Sequence, residues 1–281
     1  VTDSTTAGTT TVNFSATSVT DLNTTAISSD VIQVSADFNT ETITFGTGQN
    51  FLISASQNTG GGVTMTSALA TASTNTLNIT IDDDLATTTT AQTIELDALA
   101  VTNTKTTTIT SSLDNLLLDT SISVGAANDI ILNLAGTLTN GTGETITANS
   151  WDASGSAGAA TLFLSGGVGT VKTGSGADTV TIEGAATGGT TVELGAGADT
   201  LNSIDESITV DGGDGVDTLS FASSGFTSHS AGAALGVDTG GATNFENVIG
   251  TYFADTIYGD DNSNYLYGYS GSADADDVIY G

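Results

Sequence analysis

The chain has 281 residues, of which 32 are acidic, against two lysines (Lys105 and Lys172), no arginine and one histidine, for a formal net charge of −30. That balance excludes ordinary nucleic-acid binding, because almost nothing is available to neutralise phosphate, and it excludes docking to an anionic bilayer by charge alone. Cysteine and proline are both absent, so there are no disulfides and no thiolate metal sites. Only 12% of residues are charged and 38% are hydrophobic, which favours a folded chain with its acids gathered at sites over a disordered one.

In chain order, Val1-Thr2-Asp3-Ser4 offers no basic n-region and no apolar h-region, so either export uses another signal or the chain is an internal fragment. No apolar run reaches the roughly 18 residues a transmembrane helix needs. Threonine is the commonest residue, with 54 copies, and Val, Ile and Leu are spread between them, a mixture that favours strands. Alternating runs such as Thr76–Ile81, Thr93–Leu96, Thr161–Leu164 and Ser207–Val210 predict half-buried strands, with Gly, Asn, Asp, Ser and Ala at the turns between them. The triplet Asp82-Asp83-Asp84 reads as a cation site or as a solvated turn, the commoner fate of such a run. Ser111 to Thr120, with Leu113, Leu116, Leu117 and Leu118, reads equally as a short helix or a strand. Residues 1 to 120 form a Thr-rich β region. From Gly125 onward Gly-x-Gly elements become regular, and no Pro-rich or charged linker intervenes, so one continuous elongated body is expected. Trp151 is expected to pack or to sit at an edge. His229, between two serines, lacks the Gly-x-Ser-x-Gly elbow of a hydrolase nucleophile and reads as a surface loop. All six tyrosines lie in the last 30 residues, and Tyr258, Tyr267 and Tyr280 each follow a buried apolar position, so alternation points them outward.

Internal repetition carries the chemistry. Gly212-Gly213-Asp214-Gly215-Val216-Asp217-Thr218-Leu219-Ser220 matches the nonapeptide G-G-x-G-x-D-x-U-x, where U is a large apolar residue, at every fixed position. Thr173–Thr181 and Leu194–Asn202 lack only the first glycine. A weaker copy begins at Gly125, and two degenerate copies run in tandem, Gly250–Tyr258 and Gly259–Tyr267. Six residues of each unit form a tight turn in which glycines reach conformations that a Cβ forbids. The aspartate adds a carboxylate, and the last three residues form a strand whose U side chain is buried. One turn provides half a coordination sphere, and the turn one coil later provides the rest of the six to eight oxygens that calcium takes. Two nine-residue half-turns make an 18-residue coil. Asp199 to Asp217 is 18 residues, Asp178 to Asp199 is 21, one coil plus three, and Asp255 to Asn264 is nine, which places that last pair on opposite sides. Asp178, Asp199 and Asp217 are therefore expected to form a vertical ladder with ions between its rungs. The candidate calcium ligands are Gly174, Gly176 and Asp178 in one turn, Gly195, Gly197 and Asp199 in the next, Gly213, Asp214, Gly215 and Asp217 in the third, and Asp255 and Asp260 in the tandem copies.

These nonapeptides resemble those of RTX proteins, the repeat-containing group exported by bacterial type I secretion, and Phe245-Glu246-Asn247-Val248-Ile249-Gly250-Thr251 leading into Asp255–Asp260 is similar to the same group. The Thr-rich strands, Trp151–Gly155 followed by Ala160–Leu164, and the absence of Pro and Cys resemble surface-layer (S-layer) proteins that bear RTX repeats. The resemblance implies an all-β, right-handed parallel β-helix or β-roll with calcium-binding turns over residues 121 to 281, preceded by a Thr-rich, β-helical region over 1 to 120. It also implies a secreted, cell-surface location and a structural role: a subunit or assembly region of an S-layer that folds and self-assembles with calcium. The implied partners are calcium ions, further copies of the chain and cell-surface polysaccharide through a region the sequence does not mark. Asn264 stands where the pattern has Asp, Gly271–Asp277 is out of register by about four residues, and the chain stops at Gly281 inside a repeat-like unit. The alternative is a calcium-binding passenger segment of a larger type I-secreted adhesin or hydrolase. A polysaccharide-cleaving β-helix enzyme is disfavoured, because two isolated lysines and no arginine do not build the cationic cluster that neutralises a uronate, and the chain is read as not an enzyme.

Overall fold

The structure, a computed structural model, describes residues 2–6, 9–14, 21–25, 31–35, 41–46, 49–56, 63–68, 75–82, 91–141, 145–164, 168–182, 190–202, 209–222, 234–236, 242–251, 254–269 and 277–281. Among them are 28 strands and no helix, and so no helix long and apolar enough to cross a membrane. An antiparallel pair, Thr2–Thr6 with Thr9–Phe14, opens the fold, and every other pairing among the described residues is parallel. The strands stack as a β-solenoid, as the sequence led us to expect: each coil lays its strands in register on those of the coil before.

Period-two alternation builds the core. Thr76–Ile81, Thr106–Ser111 and Ala160–Leu164 bury every second side chain and turn the others outward. Because the pairing is parallel and in register, the inward residues become columns. Leu162, Val180, Leu201, Leu219 and Val248 follow one another up one side, all buried, and Leu266 ends the column partly exposed. The last five are the residues two places after Asp178, Asp199, Asp217, Glu246 and Asn264. On the facing side Ile130, Trp151, Val171, Val192, Val210 and Ala242 form a second column. Trp151 is fully buried within it, a core residue and not an edge residue.

The leucine-rich stretch after Ser111 is strand. It belongs to Asn115–Leu134, a 20-residue strand that bends where its register shifts, near residues 119–120 and 124–128. Its first segment pairs with Thr93, Ile94, Glu95 and Leu96, and its last with Thr106–Ser111. Leu116 and Leu118 point inward and Leu117 is half-buried, the alternation of a strand and not the stripe of a helix. This strand runs across residue 120, so the Thr-rich and Gly-rich regions share continuous sheet. Asp83, Asp84 and His229 lie outside the described residues.

Candidate metal-binding turns

The three best repeats stack. Thr179 pairs with Thr200 and Thr200 with Thr218, which sets the preceding turns, 173–178, 194–199 and 212–217, one above another. Two-residue strands within the turns, Ala196–Gly197 and Asp214–Gly215, pair as well. Ser175 N–H donates to Ser156 O (3.0 Å), Ala196 N–H to Gly174 O (3.0 Å) and Asp214 N–H to Gly195 O (2.8 Å), so the turn backbones touch along the whole column. Glycine is needed for that contact. Gly195 and Gly213 both have φ +94°, and a Cβ on either would collide with the carbonyl oxygen of the glycine one turn earlier, Gly174 or Gly195.

The aspartates form the expected ladder, and the rungs are joined by direct hydrogen bonds. Ala160 N–H donates to Asp178 Oδ1 (2.7 Å), Asp178 N–H to Asp199 Oδ1 (2.7 Å), Asp199 N–H to Asp217 Oδ1 (2.8 Å) and Asp217 N–H to Glu246 Oε2 (2.7 Å). The three aspartates are at most 1% exposed. Their second oxygens differ. Asp178 Oδ2 accepts Gly174 N–H (3.2 Å), whereas Asp199 Oδ2 and Asp217 Oδ2 are buried with no hydrogen-bond partner. Burial therefore raises all three carboxyl groups above the ordinary aspartate range. Asp199 is pushed up to about 6, with the charges of Asp178 and Asp217 adding to burial and the Asp178 N–H opposing it. For Asp217 the neighbouring charges of Glu246, Asp211 and Asp214 act in the same upward sense.

Asp214 and Val216 form the exposed crest of the third turn. Asp255 and Asp260 lie elsewhere. Asp255 precedes Thr256–Tyr258, which pairs with Ala234–Gly236 and Val278–Tyr280, whereas Asn264 precedes Tyr265–Tyr267, which pairs with Asn247–Ile249; the two belong to different sheets, as their nine-residue spacing requires. Asp255 is buried, accepts Thr251 N–H (2.6 Å) and donates its own N–H to Asp277 Oδ1 (3.0 Å), a second and shorter ladder. Asp260 joins neither ladder: its carboxylate accepts the N–H and Nδ2 of Asn262 within its own turn, and these bonds hold its pKa below the usual carboxylate range. Asn264 Oδ1 accepts Asp260 N–H (2.8 Å), but Asn264 Nδ2 is buried and unpaired, a donor where a cation site needs an acceptor.

Two rungs, Glu246 and Asp277, are absent from the candidate ligands drawn from the sequence. Glu246 follows Asp217 by 29 residues and Asp277 follows Asp255 by 22, so neither falls on the 18-residue interval. The signal for Glu246 is its place just before Asn247-Val248-Ile249, whose Val248 continues the apolar column of Leu219.

Among the described residues no three Asp, Glu or His side chains converge on a single point. A cation in these turns would therefore be held largely by backbone carbonyls, with one aspartate oxygen from a rung. The donor set fits a hard cation: buried carboxylate oxygens lacking a partner, in turns lined by glycine backbone. No protein-family model, no curated protein and no solved structure matches the chain.

Proposed function

We propose that the chain is a calcium-ordered structural solenoid, a subunit or assembly region of a bacterial S-layer, and not an enzyme. The observation that carries the calcium reading is the pair of buried, unpartnered oxygens, Asp199 Oδ2 and Asp217 Oδ2, in stacked glycine turns. A buried polar atom without a partner costs about 1–3 kcal/mol, and more when it is charged. Such a cost is tolerated where a ligand removes it. Calcium supplies the positive charge that the chain itself does not: both lysines are engaged elsewhere, Lys105 with Asp129 (2.9 Å) and Lys172 with Glu193 (2.6 Å). The residues that would hold it are the turn backbones around Gly174 and Gly176, Gly195 and Gly197, and Gly213 and Gly215, with Asp199 and Asp217. The placement on a bacterial surface follows the sequence resemblance to RTX-bearing S-layer proteins. With its charge partly neutralised, a chain of net charge −30 packs against its own copies, which like charge otherwise opposes.

Removal of calcium tests the reading. Far-ultraviolet circular dichroism and thermal melting of the full chain are compared in calcium and in a chelator, with isothermal titration of calcium into the chelated protein. A ligand that binds only the folded form raises its stability by mass action. An unchanged melting temperature and no binding heat would refute it, and an equal response to magnesium would reduce it to general screening.

A further inference from the structure

Six successive strands stack on one side of the solenoid: Leu138–Asn140, Ala160–Leu164, Thr179–Ile182, Thr200–Asn202, Thr218–Ser220 and Asn247–Ile249. In-register pairing turns their outward residues into rows, just as it turns the inward ones into columns. Thr139, Thr161, Thr179, Thr200, Thr218 and Asn247 form one row, each partly exposed. A second row runs beside it through Phe163, Thr181, Asn202, Ser220 and Ile249. Asn202 Nδ2 donates to Thr181 Oγ1 (3.3 Å) and Asn247 Nδ2 to Thr218 Oγ1 (3.1 Å), which ties side chains together along both rows. No residue in either row carries a charge, in a chain of net charge −30. The facing side of the same coils is different: Asp152, Lys172, Glu193 and Asp211 follow one another in a single outward row.

We propose that this uncharged face is a docking surface for a second copy of the chain, so that two solenoids pack side by side, face against face, about a two-fold axis lying in the plane of contact. The proposal rests on the reading that the chain assembles with itself and adds where it does so. Charge and period both favour a copy as the occupant. Two copies meeting on their charged sides would set Glu193 and Asp211 against one another, whereas on this face they meet without opposing carboxylates. Interface cores are depleted in charge in the same way. The rows repeat at the strand spacing of about 4.8 Å, and a surface with that period is matched along its whole length by a second surface with the same period. Paired sheets of identical rows interdigitate for this reason. Threonine hydroxyls both donate and accept, so equal rows satisfy each other across the contact, and a two-fold contact brings the same patch from each copy. The face measures about 30 Å along the stack and roughly 10–17 Å across, or roughly 300–500 Å². A standard interface buries about 800 Å² per partner, so a single contact of this kind is weak and becomes populated at high protein concentration.

Sedimentation equilibrium of the full chain over a concentration series, in calcium and in chelator, tests this. The wild type is expected to associate as concentration rises. Thr161→Glu and Thr181→Glu, on two different strands of the face, are expected to weaken association at least about tenfold, because each sets like charges against one another across the two-fold, with circular dichroism and calcium titration unchanged. Thr170→Glu makes the same change of charge on the facing side, at a partly exposed position beside Lys172, and is expected to associate as wild type. A wild type that stays monomeric at every concentration overturns the proposal. So does association that survives both face substitutions, and so does equal weakening by Thr170→Glu, which would make the effect one of net charge. Retention of monomeric wild type on a dextran matrix, lost in Thr161→Glu and kept in Thr170→Glu, would assign the face to neutral polysaccharide and also overturn it. Association in chelator that is lost in Thr161→Glu supports the docking face and counts against calcium as the ordering ligand. Calcium-dependent association that survives both face substitutions does the reverse, so the two readings fail separately.

Discussion

Lowering the pH should stabilise the calcium-free protein and destabilise the calcium-loaded one. Burial raises the folded Asp199 carboxyl from 3.8 to about 6. At about 1.36 kcal/mol per pKa unit, its ionisation opposes folding by about 3 kcal/mol at neutral pH. An acid whose pKa is raised in the folded state takes up its proton there first, so stability rises as the pH falls through about 6 and the gain is complete below the unfolded value near 4. Between pH 7 and pH 5 Asp199 alone contributes about 1 kcal/mol of this gain. Asp178 and Asp217, shifted in the same direction, add to it. With calcium bound, protons compete with the ion for the same oxygens and the slope reverses. Urea denaturation at pH 7 and pH 5, in chelator and in excess calcium, measures both slopes. Asp199→Asn isolates the residue, because the amide oxygen still accepts the Asp178 N–H while the titrating group is gone. In chelator, wild type minus Asp199→Asn should change by about 1 kcal/mol between the two pH values. Identical pH dependence in the two proteins would show that Asp199 is not a buried, unpartnered carboxylate.

Asp217→Ala should lose more calcium affinity than Asn264→Ala in titration calorimetry, because Asp217 places an unpartnered carboxylate oxygen in its turn and Asn264 an amide donor; equal losses would remove the ranking. Gly213→Ala should lower stability by about 1–3 kcal/mol in urea denaturation, since it combines a φ of +94° with a collision against Gly195 O. Trp151→Ala should cost about 3–5 kcal/mol, the range for a fully buried aromatic, and should do so with and without calcium because the residue belongs to the apolar column and not to a turn.

Period two made the strands legible: Val180, Leu201 and Leu219, each placed inward directly after an outward threonine, stand in one buried column. The ladder was legible for the same reason that it exists, because 18 and 21 residues between aspartates return the chain to the same side of the coil. Insertions hid its continuation. A 29-residue step separates Asp217 from Glu246, and interval counting fails across such a step although hydrogen bonding in register does not. The bends of Asn115–Leu134 were equally silent, since a strand that turns a corner keeps its local alternation and changes only its partners. Asp260 marks another limit. It occupies a glycine-flanked turn like the others, yet an asparagine two residues later takes up its carboxylate, a local competition that composition does not reveal.

The three repeats share their aspartate and buried apolar positions as sequence and are not equivalent as chemistry. Asp178 closes the ladder against Ala160, and with Gly174 N–H on its second oxygen it has a partner for each. Asp199 and Asp217 each receive one N–H from the rung below, and the second oxygen of each has none. A column of like charges spaced by one coil needs a counter-charge within reach. Among the described residues the chain's own cations stand on outward positions with other acids: Lys172 beside Glu193 and Lys105 beside Asp129. What remains is a proton or an added cation. The pH experiment without calcium and the calcium titration at neutral pH therefore probe the same pair of oxygens, and Asp199→Asn should diminish both responses. Asp178→Asn, which removes charge from a rung whose oxygens are already satisfied, should lower calcium affinity less than Asp199→Asn does. If it lowers affinity as much, the ion sits at the Ala160 end of the ladder and the assignment of the two unpartnered oxygens as ligands is wrong.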